Sequence, residues 1–233
     1  LTDVCRYHAM MTSSRWLVER DELQKAEAMA LPLPSAIPAG ELTIPYSKLR
    51  EAAANPQAAR VLLAAMEKAY GLNKCELALI RDAVEYELDY FRLGNDSQAA
   101  KPPDEPMLKH YAQMLSQSLT SSFSRDGKEV FAVTVYTGDS PMLAAGVLLK
   151  PSKAGSVEVR SASDELILRL DKMDRLLLEK HDCGLYVRRD AYLYHDHCVY
   201  IAKRNQRRLW SRSAALRDAD TIYADIMNEW GNG

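Results

Sequence analysis

The sequence predicts an α+β fold, in which a helical N-terminal and middle part is followed by a small, mostly antiparallel sheet with two helices. Two observations lead to this class. Apolar residues recur at helical spacing as far as residue 123, whereas from Val130 onward short β-branched and aromatic runs alternate with turns. Because strands joined by short turns pair antiparallel, the helices and the sheet are expected to be segregated along the chain.

The most regular helix is predicted between residues 73 and 94. Asn73 is a plausible N-cap, and Glu76 stands in the capping-box position three residues later. Gly94 and Asn95 end the pattern. Helical spacing puts one apolar face on this segment and turns the acidic residues outward. The apolar set is Leu77, Ile80, Val84, Leu88 and Phe91, and the outward set is Asp82, Glu85 and Asp89.

The elements that follow alternate between helix and strand patterns. A further helix is expected over residues 106–123, and a turn at Asp126-Gly127 separates it from the sheet. The strand-like runs are residues 130–137, 144–149, 156–160, 185–187 and 198–202. Amphipathic helices are expected at residues 164–180 and 209–227.

A proline-rich stretch at residues 31–38 predicts a boundary. Three prolines among its eight residues favour an extended connector rather than regular structure. We therefore expect three parts: an N-terminal segment (1–38), a helical region (39–125) and an α+β domain (126–233).

The composition is typical of an ordinary globular protein. The formal net charge is −2, with 47% hydrophobic and 27% charged residues. No apolar run approaches the roughly 20 residues that cross a bilayer, so no membrane contact is expected. The cysteines form no CxxC pair, and reduced thiols in a cytoplasmic protein are the expectation. They are Cys5, Cys75, Cys183 and Cys198.

Residues 203–217, called here the basic segment, are the strongest candidate for a binding surface. The segment holds six basic residues and no acidic one, with Trp210 in the middle. Such a cluster suits contact with a phosphate backbone, and Asn205, Ser211 and Ser213 are suitable secondary donors. Trp210 is expected to anchor the segment to the core. The expected phosphate contacts are Lys203, Arg204, Arg207, Arg208 and Arg212. The alternative is a solvated surface whose arginines pair with nearby carboxylates.

Two histidine and cysteine groups offer an alternative site for a metal ion. His195 and His197 would share a face of a strand, as would His181 and Cys183. Four such ligands suit zinc, although their spacing departs from the common zinc arrangements. The simpler interpretation is a polar turn beside a buried Cys198, so no metal is expected.

Common catalytic motifs are absent from the sequence. It contains no Gly-x-Ser-x-Gly, no GxxxxGK[ST] and no GxGxxG, and Asn55-Pro56 is followed by Gln57. The acidic residues Asp218, Asp220 and Asp225 permit a nuclease hypothesis, but on a helix they are expected to cap it or to pair with Arg217.

A resemblance connects the N-terminal stretch to N6-adenine-specific DNA methyltransferases of restriction-modification and phage-defence systems. Their target-recognition region ends in a Thr-Ser-Ser-x-Trp-x-x-Glu-Arg segment before a Leu-Pro-x-Pro stop. The matching residues here are Thr12, Ser13, Ser14, Trp16, Glu19, Arg20, Leu31, Pro32 and Pro34. The segment from Tyr70 to Phe91 and the ending from Val199 to Asp220 are loosely similar as well. The family's cofactor-binding and Asn-Pro-Pro-aromatic motifs do not occur in this chain.

The resemblance implies a non-catalytic C-terminal module of such a methyltransferase. It would assist DNA binding and target recognition or assemble with other restriction-modification subunits. Double-stranded DNA would be the partner, and S-adenosylmethionine would belong to the parent enzyme, with no cofactor in this chain. Ser13, Ser14, Arg15 and Arg20 would lie on the recognition surface. The alternatives are a protein-interaction module without a nucleic-acid role, and a small metal-dependent hydrolase or nuclease.

Overall fold

The structure is a computed structural model that describes residues 3–12, 26, 29–31, 67–124, 129–153, 155–181 and 184–231. It divides the chain into two compact units, Leu1–Leu93 and Gly94–Gly233. The expected boundary at residue 38 lies outside the described residues. The expected boundary at residue 125 does not separate the units, because the helix that precedes it belongs to the same unit as the sheet.

The first unit contains three described helices: α1 (Asp3–Thr12), α2 (Lys74–Asp82) and α3 (Leu88–Leu93). The predicted capping box at the start of α2 is confirmed. The side-chain oxygen of Asn73 accepts from the amides of Cys75 and Glu76 at 2.9 and 3.0 Å, and the Glu76 carboxylate accepts from the Asn73 amide at 2.7 Å. These bonds satisfy three amides that a helix start would otherwise leave without partners.

A π-helical turn, Ala83–Glu87, joins α2 to α3 and changes which residues face inward. Such a turn adds one residue to a helical repeat, so later side chains rotate away from the face that a regular helix predicts. Val84 and Leu88 are buried as expected, but Phe91 is 69% exposed and Asp82 is buried. The predictions of an inward Phe91 and an outward Asp82 are therefore wrong.

The second unit contains a five-stranded sheet and three longer helices. The helices are α4 (Glu105–Phe123), α5 (Ser163–His181) and α6 (Arg212–Gly231). The strands are β1 (Val133–Thr137), β2 (Met142–Leu148), β3 (Val157–Ser161), β4 (Asp190–His195) and β5 (Cys198–Arg204). The predicted α+β class with a mostly antiparallel sheet is confirmed.

The strand order in the sheet is β3-β1-β2-β5-β4. Three of the four neighbouring pairs are antiparallel, and β1 pairs with β3 in parallel. β2 and β5 join the two hairpins, with Met142 opposite Arg204 at one end and Leu148 opposite Cys198 at the other. The end of β5 that leads into the basic segment thus lies beside the start of β2.

Helices pack on both faces of the sheet. On one face α4 and α6 lie together, and the hydroxyls of Tyr192 and Tyr194 on β4 donate to Asp218 and Asp225 of α6, each at 2.6 Å. On the other face Arg169 of α5 lies 3.9 Å from the centre of the Tyr136 ring. The fully buried Leu115, Val135, Ile201 and their neighbours form one core between these layers. None of the described helices is both long enough and apolar enough to span a membrane.

Two expectations about strands are corrected. Residues Leu185–Val187 form a 3-10 turn, and the strand β4 (Asp190–His195) was not predicted. The composition explains both differences. The apolar triplet is short enough for a single turn to bury Leu185, whereas β4 begins with Asp190, ends with His195 and carries tyrosines that are only half-buried. Its inward pattern is therefore masked by polar residue types.

Candidate nucleic-acid interface

The basic segment runs from the end of β5, through the 3-10 turn Arg207–Leu209, into α6. Two backbone hydrogen bonds fix its first half. The amide of Asn205 donates to the carbonyl of Pro141 at 2.8 Å, and the amide of Arg207 donates to the carbonyl of Lys101 at 2.8 Å. The segment is therefore tied to the loop before β2 and to the residues before α4.

Trp210 anchors the segment, as predicted. Its side chain is fully buried, and its ring packs edge-on against Tyr111 of α4 with 4.9 Å between centroids. The indole nitrogen donates to the carbonyl of Arg204 at 3.0 Å. This bond closes the turn between residues 204 and 210, so the ring fixes the backbone of the arginine-bearing loop as well as its packing.

Lys203 lies in the core beneath the segment, with only 3% of its surface exposed. Its ammonium donates to both carboxylate oxygens of Asp218 on α6, at 2.6 Å for Oδ1, and to the carbonyl of Leu209 at 3.4 Å. A buried, paired charge cannot leave its partner for an external phosphate without exposing an unpaired carboxylate to the core. The prediction that Lys203 contacts a phosphate is therefore wrong.

Two tyrosines complete the coordination of the Asp218 carboxylate. The hydroxyl of Tyr192 donates to Oδ1 at 2.6 Å, and the hydroxyl of Tyr111 donates to Oδ2. Burial lowers the pKa of Lys203, and the charge of Asp218 opposes that change. Burial, followed by the Asp218 charge, raises the pKa of the Tyr111 and Tyr192 hydroxyls above the ordinary value of 10. The cluster thus holds one cation and one anion with neutral phenols as donors.

We expect the raised tyrosine pKa to make the protein lose stability above about pH 10. An unfolded tyrosine ionises there while folded Tyr111 keeps its proton, so the free energy of unfolding falls as pH rises. The lowered pKa of Lys203 acts oppositely, but only below the ordinary lysine value of 10.5. Tyr111 alone contributes a slope of up to about 1.4 kcal/mol per pH unit. Urea unfolding between about pH 9 and pH 11 should show a shallower slope for Tyr111→Phe. Equal slopes in the variant and the wild type would contradict this assignment.

The four arginines predicted to contact phosphate differ in their surroundings. Arg204 and Arg212 are exposed, whereas Arg207 and Arg208 are half-buried. Arg207 donates from Nε to the carbonyl of Pro102 at 3.2 Å and lies 3.5 Å from the Asp104 carboxylate. Arg208 donates from Nε to the side-chain oxygen of Gln206 at 3.1 Å. Arg204 and Arg212 are therefore the side chains best placed to meet a ligand from solvent.

The expected secondary donors are occupied within the protein. Ser211 and Ser213 are buried, and their hydroxyls share a hydrogen bond of 2.9 Å. The Ser211 oxygen also accepts from the amide of Ala214 at 3.2 Å, in the manner of an N-cap on α6. The side-chain amide of Asn205 donates to the carbonyl of Ser140 at 3.0 Å. The two serines are thus structural residues of the turn, and their expected role as phosphate donors is corrected.

A groove with a volume of about 730 Å3 opens beside the basic segment. Three parts of the second unit line it: residues 139–142 before and at the start of β2, residues 204–206 of the basic segment, and the separate residues Ala100, Pro102 and Tyr186. The groove thus brings an exposed guanidinium and an exposed aromatic ring together with backbone and amide groups.

The remaining predicted site residues are not part of this surface. Ser13, Ser14, Arg15 and Arg20 lie outside the described residues, as do Cys183 and the side chain of His181. His195 ends β4, and Asp196 and His197 form a two-residue turn with φ of 50° and 59°. Because these positive φ values end the strand, the expected common strand face for His195 and His197 is wrong. Among the residues that the structure describes, no three metal-ligating side chains converge.

Two residues that organise the site were not recognised in the sequence. Asp218 was interpreted as a surface carboxylate, although it stands at helical spacing between the buried Ala215 and Ile222. Tyr186 carried no signal of its own, because only the fold brings it to the groove. The strand pattern did place Lys203 inward, since Val199 and Ile201 occupy the preceding alternate positions.

Comparisons of the chain with family models, with curated proteins and with solved structures found no match.

Proposed function

We propose that this chain contacts double-stranded DNA through the exposed arginines of the basic segment. One observation carries the proposal: Arg204 and Arg212 are exposed on a loop whose backbone is held by the buried Trp210 and by the Lys203–Asp218 pair. A loop that is already ordered loses little conformational entropy when it binds. Guanidinium groups fixed in this way are suited to the phosphate contacts that position a protein on a duplex.

The resemblance of residues 7–34 to adenine-specific DNA methyltransferases supports DNA as the partner. In this proposal the chain is a non-catalytic module of such an enzyme, and it assists DNA binding and target recognition. The parent enzyme would bind S-adenosylmethionine and supply the catalytic residues, which this sequence lacks. Other restriction-modification subunits would be further partners. Ser13, Ser14 and Arg20 would extend the DNA-contacting surface.

Charge reversal of the two exposed arginines is expected to weaken duplex binding. The variant Arg204→Glu/Arg212→Glu should lower affinity for a duplex oligonucleotide by about 10-fold or more, because it removes two phosphate contacts and adds repulsion. The slope of log affinity against log salt should also become shallower, by roughly 0.9 for each lost contact. Fluorescence anisotropy over a salt series measures both quantities.

Lys150→Glu/Lys153→Glu provides the matched control. It makes the same change in net charge at exposed positions beyond the opposite end of β2, away from Arg204. The control is expected to retain most of the affinity and the wild-type salt slope. Wild-type binding that is undetectable or independent of salt would contradict the proposal. Equal losses in the two variants would reduce the effect to net charge and would also contradict it.

A second candidate function is docking to an acidic protein by the same arginines. Both partners would lose affinity on charge reversal, so the salt slope is the measurement that separates them. A duplex oligonucleotide releases condensed counterions on binding, which gives the steep dependence expected for DNA. The clustering of Arg204, Arg208 and Arg212 within one loop and the first turn of α6 favours a linear array of phosphates, and DNA is therefore the function proposed.

A further inference from the structure

We infer that the groove beside the basic segment binds unpaired nucleotides of single-stranded DNA, with a base stacked on Tyr186 and a phosphate held by Arg204. This inference rests on the proposed function and deepens it, because Arg204 belongs to both surfaces. It adds a second mode of contact to the duplex contacts proposed above.

Tyr186 supplies an aromatic surface at the groove. It is 51% exposed, although its neighbour Leu185 is fully buried. The 3-10 turn that carries it is held firmly, since the amide of Leu185 donates to Asp174 at 2.5 Å and the amide of Arg188 donates to the carbonyl of Leu185 at 3.1 Å. An exposed aromatic ring on an ordered turn is a platform for stacking, because it binds without first being immobilised.

Arg204 supplies the positive charge on the same groove. The carbonyl of this residue is fixed by the indole of Trp210, so the guanidinium extends from a rigid backbone. The negative charges near the groove restrict where a phosphate can lie. Asp139 lines the groove, and the charges of Asp171 and Asp174, after burial, raise the pKa of the Tyr186 hydroxyl. The phosphate is therefore placed at the Arg204 end, and the base at the ring of Tyr186.

This combination distinguishes unpaired nucleotides from a duplex. In duplex DNA the bases stack on one another, so a tyrosine ring has no free base face to contact. In a single strand every base exposes such a face, and an aromatic ring beside a cation is the usual arrangement that binds it. Cavities that hold small groups usually have volumes of about 300–1,000 Å3, and the groove falls within that range.

The test uses the full chain and a fluorescein-labelled oligodeoxythymidylate of about ten nucleotides. Loss of base stacking is expected to weaken binding of the Tyr186→Ala variant by about 10-fold. Tyr186→Phe keeps the ring and should retain affinity within about 2-fold. Val187→Ala changes the exposed neighbour in the same turn, which does not line the groove, and should have no effect. Duplex binding should be unchanged in all three variants.

The outcomes separate this inference from the proposed function. If wild-type protein binds duplex but not the single strand, or if Tyr186→Ala binds the single strand normally, the groove inference is overturned while the proposed function stands. An equal loss in Tyr186→Phe would assign the effect to the hydroxyl and would also overturn stacking. If charge reversal at Arg204 and Arg212 leaves duplex binding intact, the proposed function itself fails.

Discussion

Replacing Lys203 with methionine is expected to lower the free energy of unfolding of the second unit by about 3–5 kcal/mol. Methionine nearly fills the volume of the lysine side chain, so the loss comes from charge rather than from a cavity. The Asp218 carboxylate, which is 2% exposed, would remain buried with only the tyrosine hydroxyls as donors. Urea unfolding followed by circular dichroism measures the change.

Two further variants separate the charge effect from general damage. Lys109→Met replaces an exposed lysine on α4 and is expected to change stability by no more than about 0.5 kcal/mol. Lys203→Met/Asp218→Leu removes both charges and should regain part of the loss. The recovery is partial because the Tyr111 hydroxyl loses its acceptor, which costs about 1–3 kcal/mol. A double variant less stable than Lys203→Met would refute the assignment.

Truncating Trp210 to alanine is expected to destabilise the second unit by about 3–5 kcal/mol. The indole is fully buried and packs on Tyr111, and its removal leaves a cavity under the basic segment. It also removes the donor to the carbonyl of Arg204, so the loop between residues 204 and 210 loses a constraint. Calorimetry measures the stability, and anisotropy with duplex DNA measures the effect on the arginines.

Trp210→Phe distinguishes packing from the hydrogen bond. Phenylalanine retains the aromatic contact but cannot donate to the carbonyl of Arg204, so it should cost clearly less stability than alanine. Duplex affinity should still fall, because the backbone that presents Arg204 is no longer fixed. If the phenylalanine variant binds DNA like the wild type at a temperature where it is folded, the indole hydrogen bond has no role in presenting the arginine.

The fold class followed from local patterns because most elements carry a clear period. The repeat of Leu166, Leu170, Met173 and Leu177 matches the buried face of α5, and the β-branched run at residues 133–137 is β1. The pattern failed where the backbone departs from a regular period. The π-helical turn exposes Phe91 and buries Asp82, and no propensity scale contains that extra residue.

The candidate site was predictable in part. The clustering of arginines and the anchoring role of Trp210 were evident from composition and residue size. The burial of Lys203 was accessible from strand alternation, but its charge outweighed its position in our interpretation. The groove was not accessible at all, since Pro102, Ser140, Tyr186 and Arg204 are far apart in sequence and only the strand order brings them together.

The pairing of β2 with β5 has a consequence for how the arginine surface arises. Leu148 meets Cys198 and Met142 meets Arg204 only after the chain has passed through β3, α5 and β4, so this contact closes a long loop. The β1–β2 and β4–β5 hairpins each close over a short loop, whereas the basic segment gains its backbone partners at Lys101 and Pro141 only when the two hairpins join. A nascent or partly folded chain therefore does not display the ordered arginine array, and that surface is a marker of complete folding of the unit.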